Sequence, residues 1–274
     1  MTQTAITTVG LIGAGRMGMP IVGHLVRKGF RVIVNDADAG KRPGAEQRGA
    51  VWATEPAAMA DAGAILICVG YDHEVRDLMQ RNDGLFARVG TGAILTILST
   101  IRPRTVQALA KTGATRGVYV VDSTVCRGGA AADEGTLLSF VGGPEAVVTR
   151  LKPVLAAYSS DIVHTGGVGT AQVAKAANNL ILWACLVADH EALALARRFD
   201  VDVDALREAL KMSSADNQAL HNWGKQTMAW AQDDMAIVGE MADECGISLP
   251  QAGVVREICR TLKPRRYNLD EYGR

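Results

Sequence analysis

The sequence has few aromatic residues and no excess of charge of either sign. Phenylalanine, tryptophan and tyrosine make up 5% of the 274 residues, and 29 basic side chains balance 29 acidic ones. Proteins that bind nucleic acids need basic surfaces and often aromatic platforms on which bases stack. The composition therefore argues against a nucleic-acid partner and against an acidic membrane surface.

Cysteine patterns and long apolar runs are also missing. The five cysteines are odd in number and have no CxxC or other metal-type spacing, which argues against a disulfide framework and a metal site. The longest apolar run, near residues 180–188, is too short to span a bilayer. No basic and apolar leader is visible in the first five residues. We therefore expect a cytoplasmic protein with no metal ion and no membrane partner.

A glycine-rich turn lies close to the start of the chain. An apolar run over 6–12 predicts a buried strand, Gly13, Gly15 and Gly18 follow in the spacing GxGxxG, and a helical pattern continues to Val26. In such turns the first glycine permits the tight bend, the second lets the backbone approach a pyrophosphate, and the third lets the helix pack on its strand. The strand and the helix are the context that a dinucleotide-binding motif requires.

Asp36 follows the next predicted strand, Arg31–Asn35, about 20 residues beyond the glycines. An acid at this point accepts hydrogen bonds from ribose hydroxyls and repels a 2′-phosphate, so it favours NAD over NADP. Lys41 and Arg42 are close enough to keep NADP open as a cofactor. The alternative interpretation of Asp36 is an ordinary solvated acid in a turn.

Short apolar runs alternate with helical patterns as far as residue 165. Strands are predicted near 6–12, 31–35, 51–53, 64–69, 93–98, 118–121, 137–141 and 161–164. From Gly169 no strand pattern occurs; one long helix is predicted over 171–198 and shorter ones follow, with a charged, mobile tail after Pro264. The predicted fold is α/β, with a Rossmann-type doubly wound sheet in 1–165 and an all-helical domain in 166–274.

Lys175 and Asn179 lie four residues apart at the start of the long helix, so they project from one face. An ammonium and an amide side by side suit a general acid–base pair for interconverting a hydroxyl and a carbonyl group. The alternative is a lysine at a helix entry with amides that cap or pack locally.

Two further stretches follow predicted strands. Asp122–Gly129 includes paired glycines whose N–H groups can hold an anion, and Arg127, which can grip a carboxylate. An ordinary glycine turn with a solvated arginine explains this stretch equally well. Ser99 and Thr100 end a strand within reach of a ligand that lies across the strand ends, or simply cap the helix before Pro103.

Together these stretches resemble the β-hydroxyacid dehydrogenase family over nearly the whole chain. Gly10–Pro20 is similar to the family's cofactor signature, Asp122–Gly129 to its substrate segment, and Gly169–Asn179 to its catalytic segment, in the same order and at similar separations. The resemblance implies a Rossmann domain, a long linking helix, and a helical domain like that of 6-phosphogluconate dehydrogenase. It also implies a nicotinamide cofactor, a small hydroxy acid or carbonyl substrate, and a homodimer or homotetramer.

The resemblance also implies roles for individual residues. Lys175 is then the catalytic lysine and Asn179 its partner on the substrate. The residues expected to contact substrate are Ser123, Cys126, Arg127, Gly128, Gly129 and Asn178. Those expected to contact the cofactor are Gly13, Gly15, Arg16, Met17, Gly18, Asp36, Val69 and Thr100.

The chain departs from the family pattern at two places that bear on substrate choice. Cys126-Arg127-Gly128 stands where Ser-Gly-Gly is common, and Asp233 stands where a lysine is common. There are two alternative functions: an imine reductase on a related scaffold, and a non-catalytic module that senses NAD(H). Lys175 counts against the first, and the Lys175–Asn179 pair counts against the second.

Overall fold

A computed structural model describes residues 5–273 and divides the chain into two compact units. The first unit ends at Lys175 and the second begins at Ala176. The predicted absence of a leader rests largely on residues 1–4, which lie outside the described range.

The first unit contains one eight-stranded sheet in the order β3-β2-β1-β4-β5-β6-β7-β8. The strands are β1 (Thr8–Ile12), β2 (Arg31–Asn35), β3 (Val51–Trp52), β4 (Ala64–Ile67), β5 (Ile94–Ile97), β6 (Tyr119–Cys126), β7 (Leu137–Gly142) and β8 (Ser159–Gly166). The helices are α1 (Gly18–Arg27), α2 (Arg42–Gln47), α3 (Asp72–Gln80), α4 (Leu85–Arg88), α5 (Pro103–Ala114), α6 (Gly128–Glu134) and α7 (Glu145–Leu155). This confirms the predicted Rossmann-type α/β fold.

The first six strands form the parallel sheet that the alternation of apolar runs and helical patterns predicts, whereas the last two include an antiparallel pairing. Strands β1 to β6 are parallel to one another, whereas β7 is antiparallel to β6 and β8 is parallel to β7. A parallel crossover needs a dozen or more residues to return to the starting edge. Residues 127–136 between β6 and β7 hold only the short α6, so the chain turns back beside β6.

Each face of the sheet has its own hydrophobic core because side chains alternate along a strand. Leu66 of β4 lies in one core together with Leu11 and Ile21, whereas Ile65 lies in the other with Leu95. All five side chains are fully buried. Burial of an aliphatic side chain of this size contributes roughly 1.5–3 kcal/mol. Covered faces on both sides explain why β4 is a continuous apolar run.

Strand β6 is longer than its apolar run predicts. The run stops at Val121, but backbone pairing with β7 continues from Asp122, opposite Gly142, to Cys126, opposite Leu138. The pairing is between backbone groups, so polar side chains do not end it. The stretch expected to be a loop after a strand is therefore mostly strand.

The second unit is helical, as predicted; its described residues, 176–273, contain only helices and turns. The helices are α8 (Thr170–Arg198), which begins in the first unit, α9 (Val203–Leu210), α10 (Gln218–His221), α11 (Ala231–Cys245) and α12 (Pro250–Leu262). Trp183, Leu186, Met235 and Val255 belong to one buried cluster that joins α8, α11 and α12.

Helix α8 is long and apolar enough to cross a membrane by length and composition. Its most apolar window has a mean hydropathy of 1.4, and 44% of that window is buried within the protein. The apolar run near 180–188 lies inside this helix, whose predicted bounds, 171–198, differ from the observed ones by one residue at the start. Length and apolarity are weak evidence for a membrane span, since a core helix of a globular domain has both.

The segment after Pro264 packs against α8 and is not the mobile tail that its charge predicts. The buried His190 ring accepts a hydrogen bond at Nε2 from the Tyr267 N–H, 2.9 Å away, while its Nδ1 lies 2.7 Å from the Leu186 carbonyl oxygen. The Trp223 and Tyr267 rings lie 4.5 and 5.3 Å from the His190 ring. Nδ1 therefore carries the proton and the ring is neutral. Burial lowers the pKa of His190 below its ordinary value.

This environment predicts a pH dependence of stability. Because the unfolded chain takes up the His190 proton at a higher pH than the folded chain does, the stabilisation is complete above about pH 6.5 and decreases as the pH falls through the folded pKa. His190→Gln should lower the free energy of unfolding at pH 8 by about 1–3 kcal/mol and flatten its decline below pH 6.5. Denaturant titration at several pH values measures both effects. His73→Gln, at an exposed histidine, should keep the wild-type decline; an unchanged decline in His190→Gln would contradict the prediction.

Candidate functional site

Each of the three glycines in the turn between β1 and α1 has a different steric environment. Gly13 has a φ of +96°, and a Cβ there would overlap the Cys68 carbonyl oxygen. A Cβ at Gly18 would overlap the Gly13 carbonyl oxygen, while one at Gly15 would have no atom within 4 Å. Open space beside Gly15 is what a pyrophosphate needs for close approach to the backbone.

Arg16 and Met17 follow at the entrance to α1. Both terminal nitrogens of Arg16 bond the Asp133 carboxylate of α6, at 2.8 and 2.6 Å. These hydrogen bonds raise the pKa of Arg16 and lower that of Asp133. The Arg16 side chain is thus paired within the protein. The half-buried Met17 packs against the core beneath the turn.

The Asp36 carboxylate is fixed beside the glycine turn. The Ala14 N–H donates to Asp36 Oδ2 at 2.6 Å, and the Asp38 N–H donates to Oδ1 at 2.8 Å. A carboxylate oxygen accepts more than one hydrogen bond, so both oxygens retain acceptor capacity. The cations that kept NADP open are paired elsewhere, Lys41 with Asp38 at 3.6 Å and Arg42 with Glu46 at 2.8 Å.

The ends of β4 and β5 are tied together next to this turn. The Val69 N–H donates to Ser99 Oγ at 3.0 Å. The backbone on each side of the half-buried Thr100 is held by Gln172, which accepts from the Ile101 N–H and donates to the Ser99 carbonyl oxygen, both at 2.9 Å. Sequence reasoning missed Gln172, because nothing in its spacing distinguishes it from a surface glutamine.

Alternate side chains of β6 face opposite sides of the sheet. Asp122 accepts from the N–H groups of Gly169, at 2.7 Å, and Gln172, at 3.0 Å. Thr124 Oγ1 donates to the Ala171 carbonyl oxygen at 2.9 Å. Asp122 and Thr124 are both fully buried. Burial raises the pKa of the Asp122 carboxyl, although the N–H donors oppose this shift.

The Ser123 side chain lies on the other face of the sheet, which corrects the expectation that it contacts the substrate. Val121 and Val125, which alternate with it on the same side, belong to the hydrophobic core. Ser123 is itself fully buried, and its Oγ has no hydrogen-bond partner among the described residues. The extension of β6 beyond Val121 turns this side chain into the core.

Lys175 lies against the last residues of β6. Its Nζ donates to the Val125 carbonyl oxygen at 2.8 Å and lies 3.9 Å from Cys126 Sγ. Lys175 is half-buried, and Cys126 is buried. The structure thus brings together residues from the expected catalytic and substrate segments, which are separated by about 50 residues in the chain.

Arg127 points away from this cluster, contrary to the expectation that it grips a substrate. Its Nη1 bonds Asp161 Oδ2 at 2.7 Å, Ser160 Oγ at 2.8 Å and the Thr136 carbonyl oxygen at 3.0 Å. The pair with Arg127 lowers the pKa of Asp161. Arg127 also has a left-handed φ of 83°. The strand geometry directs its side chain to the edge formed by β8.

The glycines after Arg127 begin α6. Gly128 has a φ of +77°, and a Cβ there would have no atom within 4 Å. A Cβ at Gly129 would lie 2.5 Å from Arg16 Nη2. The first N–H groups of a helix have no acceptor within the helix. Gly128 therefore presents open backbone, whereas a Cβ at Gly129 would displace the Arg16 guanidinium group.

In the second unit the two asparagines of the catalytic segment bond to each other. Asn178 Nδ2 donates to Asn179 Oδ1 at 3.0 Å, which leaves the Asn179 amide group as a donor. On α11, Asp233 is exposed, whereas its neighbour Asp234 accepts a hydrogen bond from Trp183 Nε1 at 3.0 Å. Within residues 5–273 no three metal-ligating side chains come together.

Comparison with protein families gives a match along both units. Residues 8–167 match the NAD-binding domain of 6-phosphogluconate dehydrogenase, and residues 169–271 match the NAD-binding domain of NADP-dependent 3-hydroxyisobutyrate dehydrogenase. The first match alone spans more than half of the chain. The chain belongs to the β-hydroxyacid dehydrogenase family.

Individual relatives agree with this assignment to the β-hydroxyacid dehydrogenases. A 3-hydroxyisobutyrate dehydrogenase from Pseudomonas aeruginosa is 34% identical over 79% of this chain and 73% of its own length. An NAD-dependent L-serine dehydrogenase from the same organism is 30% identical over 77% of this chain and 72% of its own. The solved structure of Mycobacterium tuberculosis 3-hydroxyisobutyrate dehydrogenase with L-serine has a TM-score of 0.85, 23% identity and 94% coverage of both chains, and shows the shared fold.

This hydroxyacid dehydrogenase uses a nicotinamide cofactor, and the described residues fit one. The open backbone at Gly15 and the Asp36 carboxylate beside it are the features that a pyrophosphate and a ribose require. Hydride transfer between a nicotinamide and a hydroxy acid is the reaction of the family to which the chain belongs.

The left-handed conformation of Arg127 predicts an unusual preference for glycine at this position. A side chain in this conformation costs roughly 1 kcal/mol, which glycine avoids. Arg127→Gly should therefore be more stable than Arg127→Ala by about 1 kcal/mol. At Lys111, an exposed residue within α5, Lys111→Gly should instead be less stable than Lys111→Ala by a similar amount. Equilibrium unfolding of the glycine and alanine variants at positions 127 and 111 measures these differences. An Arg127→Ala variant that is more stable than Arg127→Gly would contradict the prediction.

Proposed function

We propose that the protein oxidises a short β-hydroxy acid to the semialdehyde or β-keto acid, reversibly, with NAD as the favoured cofactor and Lys175 as the acid–base group. The observation that carries this proposal is the position of Lys175 Nζ, 2.8 Å from the Val125 carbonyl oxygen and 3.9 Å from Cys126 Sγ. An amine held at the end of the substrate segment is suited to take a hydroxyl proton.

Lys175 and Asn179 divide the work on the reacting oxygen. Lys175 accepts the hydroxyl proton in oxidation and returns it in reduction. Asn179 lies one helical turn further along α8, and its amide group donates a hydrogen bond that orients the same oxygen. Asn178 Nδ2 donates to Asn179 Oδ1 at 3.0 Å, so the Asn179 amide nitrogen is the atom left to bind the substrate oxygen.

The substrate carboxylate is assigned to the backbone N–H groups of Gly128 and Gly129, with the Cys126 thiol beside them. Gly128 supports this role because the space beside it is open. Ser123 and Arg127 are left out of the set, since Ser123 faces the core and Arg127 pairs with Asp161. A thiol donates hydrogen bonds weakly, so the carboxylate depends mainly on the backbone donors.

The cofactor is assigned to the glycine turn and the neighbouring strand ends. Gly13, Gly15 and Gly18 and the N–H groups of Arg16 and Met17 would hold the pyrophosphate, and Val69 and Thr100 would border the nicotinamide. The bound nicotinamide accepts or donates the hydride. Asp36 accepts from the ribose hydroxyls and disfavours a 2′-phosphate, while Lys41 and Arg42 are already paired with carboxylates. These contacts support NAD as the favoured cofactor.

The domain boundary is proposed near residue 165, since β8 ends at Gly166 and the two family matches change over between 167 and 169. Homodimers or homotetramers are proposed because α8 carries an exposed apolar stripe. Ile181 and Leu195 of α8 and Phe199, which directly follows its end, are spaced near multiples of the helical turn and are 64%, 61% and 75% exposed. A cytoplasmic location remains a prediction from the cysteine usage.

Two other functions make different predictions. An imine reductase would reduce a cyclic imine faster than any β-keto acid, and would not depend on Lys175. A sensor would bind NADH and turn over neither substrate. The position of Lys175 at the substrate segment favours the dehydrogenase over both.

Lys175→Ala should lower kcat by about 10²–10⁴-fold and leave the dissociation constant of NADH nearly unchanged. The assay is nicotinamide absorbance with a panel of β-hydroxy acids that includes L-serine and 3-hydroxyisobutyrate. Lys111→Ala, at an exposed lysine of α5, is the matched control and should be fully active. Substantial activity in Lys175→Ala would exclude it as the acid–base group.

Asp36→Asn should raise the ratio of kcat/KM with NADP to that with NAD by about tenfold or more, equivalent to roughly 1.4 kcal/mol. The amide keeps an acceptor for the Ala14 N–H and removes the charge that repels a 2′-phosphate. Asp38→Asn, at the neighbouring carboxylate, should change the ratio much less. A wild-type enzyme that prefers NADP, or a ratio unaffected by Asp36→Asn, would refute the assignment.

A further inference from the structure

Gln172 is buried between the turn assigned to the nicotinamide and the part of α8 that carries the assigned acid–base group. It is 1% exposed and lies one helical turn before Lys175 on α8. Its side chain bonds the turn after β5, which carries Thr100. One residue thus joins the assigned nicotinamide contact to the helix of the assigned acid–base group.

The two bonds of the Gln172 amide leave this turn little freedom. Oε1 accepts from the Ile101 N–H and Nε2 donates to the Ser99 carbonyl oxygen, both at 2.9 Å. These backbone groups flank Thr100 on either side. A side chain that bonds both groups restrains the peptide units of Thr100 as a neighbouring strand would. A neutral group with both a donor and an acceptor is needed, which a carboxylate or an apolar side chain does not provide.

The backbone of Gln172 is held as firmly as its side chain. Its N–H donates to Asp122 at 3.0 Å, and the carbonyl group of the preceding Ala171 accepts from Thr124 at 2.9 Å. Both partners belong to β6, the strand whose Val125 carbonyl oxygen binds Lys175 Nζ. The helix turn at Gln172 is therefore anchored to β6 through its backbone and to the Thr100 turn through its side chain.

We propose that Gln172 is a positioning residue for hydride transfer: it holds the Thr100 turn and the Lys175 helix at a constant separation, so that the cofactor and the acid–base group meet the same carbon–oxygen unit of the substrate. This inference rests on the proposed function. Gln172 touches neither reacting group, so its effect is on geometry. A misplacement of about 1 Å costs up to 100-fold in rate.

The test compares Gln172→Met with the wild-type enzyme, using whichever of L-serine and 3-hydroxyisobutyrate the enzyme turns over, unlabelled and deuterated at the hydroxyl-bearing carbon. Methionine keeps the volume and removes both hydrogen bonds. We expect kcat to fall by about 10- to 100-fold, an increased deuterium isotope effect, and an NADH dissociation constant within about threefold of wild type. Ser139→Ala is the matched control, because it removes a buried side-chain hydrogen bond, to Ser159 at 2.8 Å, in the same sheet. It should leave kcat unchanged.

A double-mutant cycle separates this inference from the proposed function. If Gln172 acts through Lys175, the pair Gln172→Met and Lys175→Ala should lose much less than the product of the two single losses. Full activity of Lys175→Ala would overturn the proposed function. Two results would overturn the inference and leave the proposed function intact. In the first, Lys175→Ala is inactive but the kcat of Gln172→Met equals that of Ser139→Ala. In the second, the losses in the double mutant are fully multiplicative.

Gln172→Glu provides a second test of the positioning role if Gln172→Met does not fold. A protonated carboxyl group supplies the same donor and acceptor, whereas a carboxylate lacks the donor. The charged groups on the elements packed around it include Asp122 on β6, Lys175 on α8, and Arg102 with its partner Asp72 beside the Thr100 turn. All of them are also present in wild type. The ratio of kcat in Gln172→Glu to that in wild type should rise as the pH falls. A ratio independent of pH would contradict the positioning role.

Discussion

A buried carboxylate, that of Asp122, sets the position of the start of α8 relative to the sheet. It accepts hydrogen bonds from the N–H groups of Gly169 and Gln172, at the point where α8 begins. Charge-assisted bonds of this kind are stronger than those between neutral groups, and leaving such a buried group unpaired is costly. The start of the helix is therefore constrained to lie on β6, and the orientation of Lys175 follows from it.

The cofactor turn depends on a different constraint, which is steric. Gly13 and Gly18 each occupy a position where a Cβ would overlap a backbone oxygen, while Gly15 borders open space. The packing of the turn therefore requires glycine at positions 13 and 18, whereas the backbone at Gly15 is open to an approaching group. Asp36 joins the two roles, because its carboxylate both holds the Ala14 N–H and retains acceptor capacity for a ribose.

Strand β6 shows how one segment serves the core, the helix and the site at once. The side chains of Asp122 and Thr124 bond the start of α8, Val121 and Val125 enter the core, and the Val125 carbonyl oxygen binds Lys175. These roles are compatible because side chains alternate along a strand while backbone groups lie in the plane of the sheet. Ser123 is drawn into the core by the same alternation.

The order of strands and helices, the glycine turn, Asp36 and the helical character of the second unit were predictable from the sequence, because apolar periodicity and turn residues are local signals. The reversal of β7 and the extension of β6 were not, since both depend on pairing between distant backbones. The partners of Arg127, Arg16 and Gln172 also lie far away in the chain. By itself, then, the sequence determined the order of the strands and helices and the positions of the glycine turn and of Asp36. Only the tertiary structure decided where their side chains point, because a side chain takes the partner that folding brings within hydrogen-bond distance.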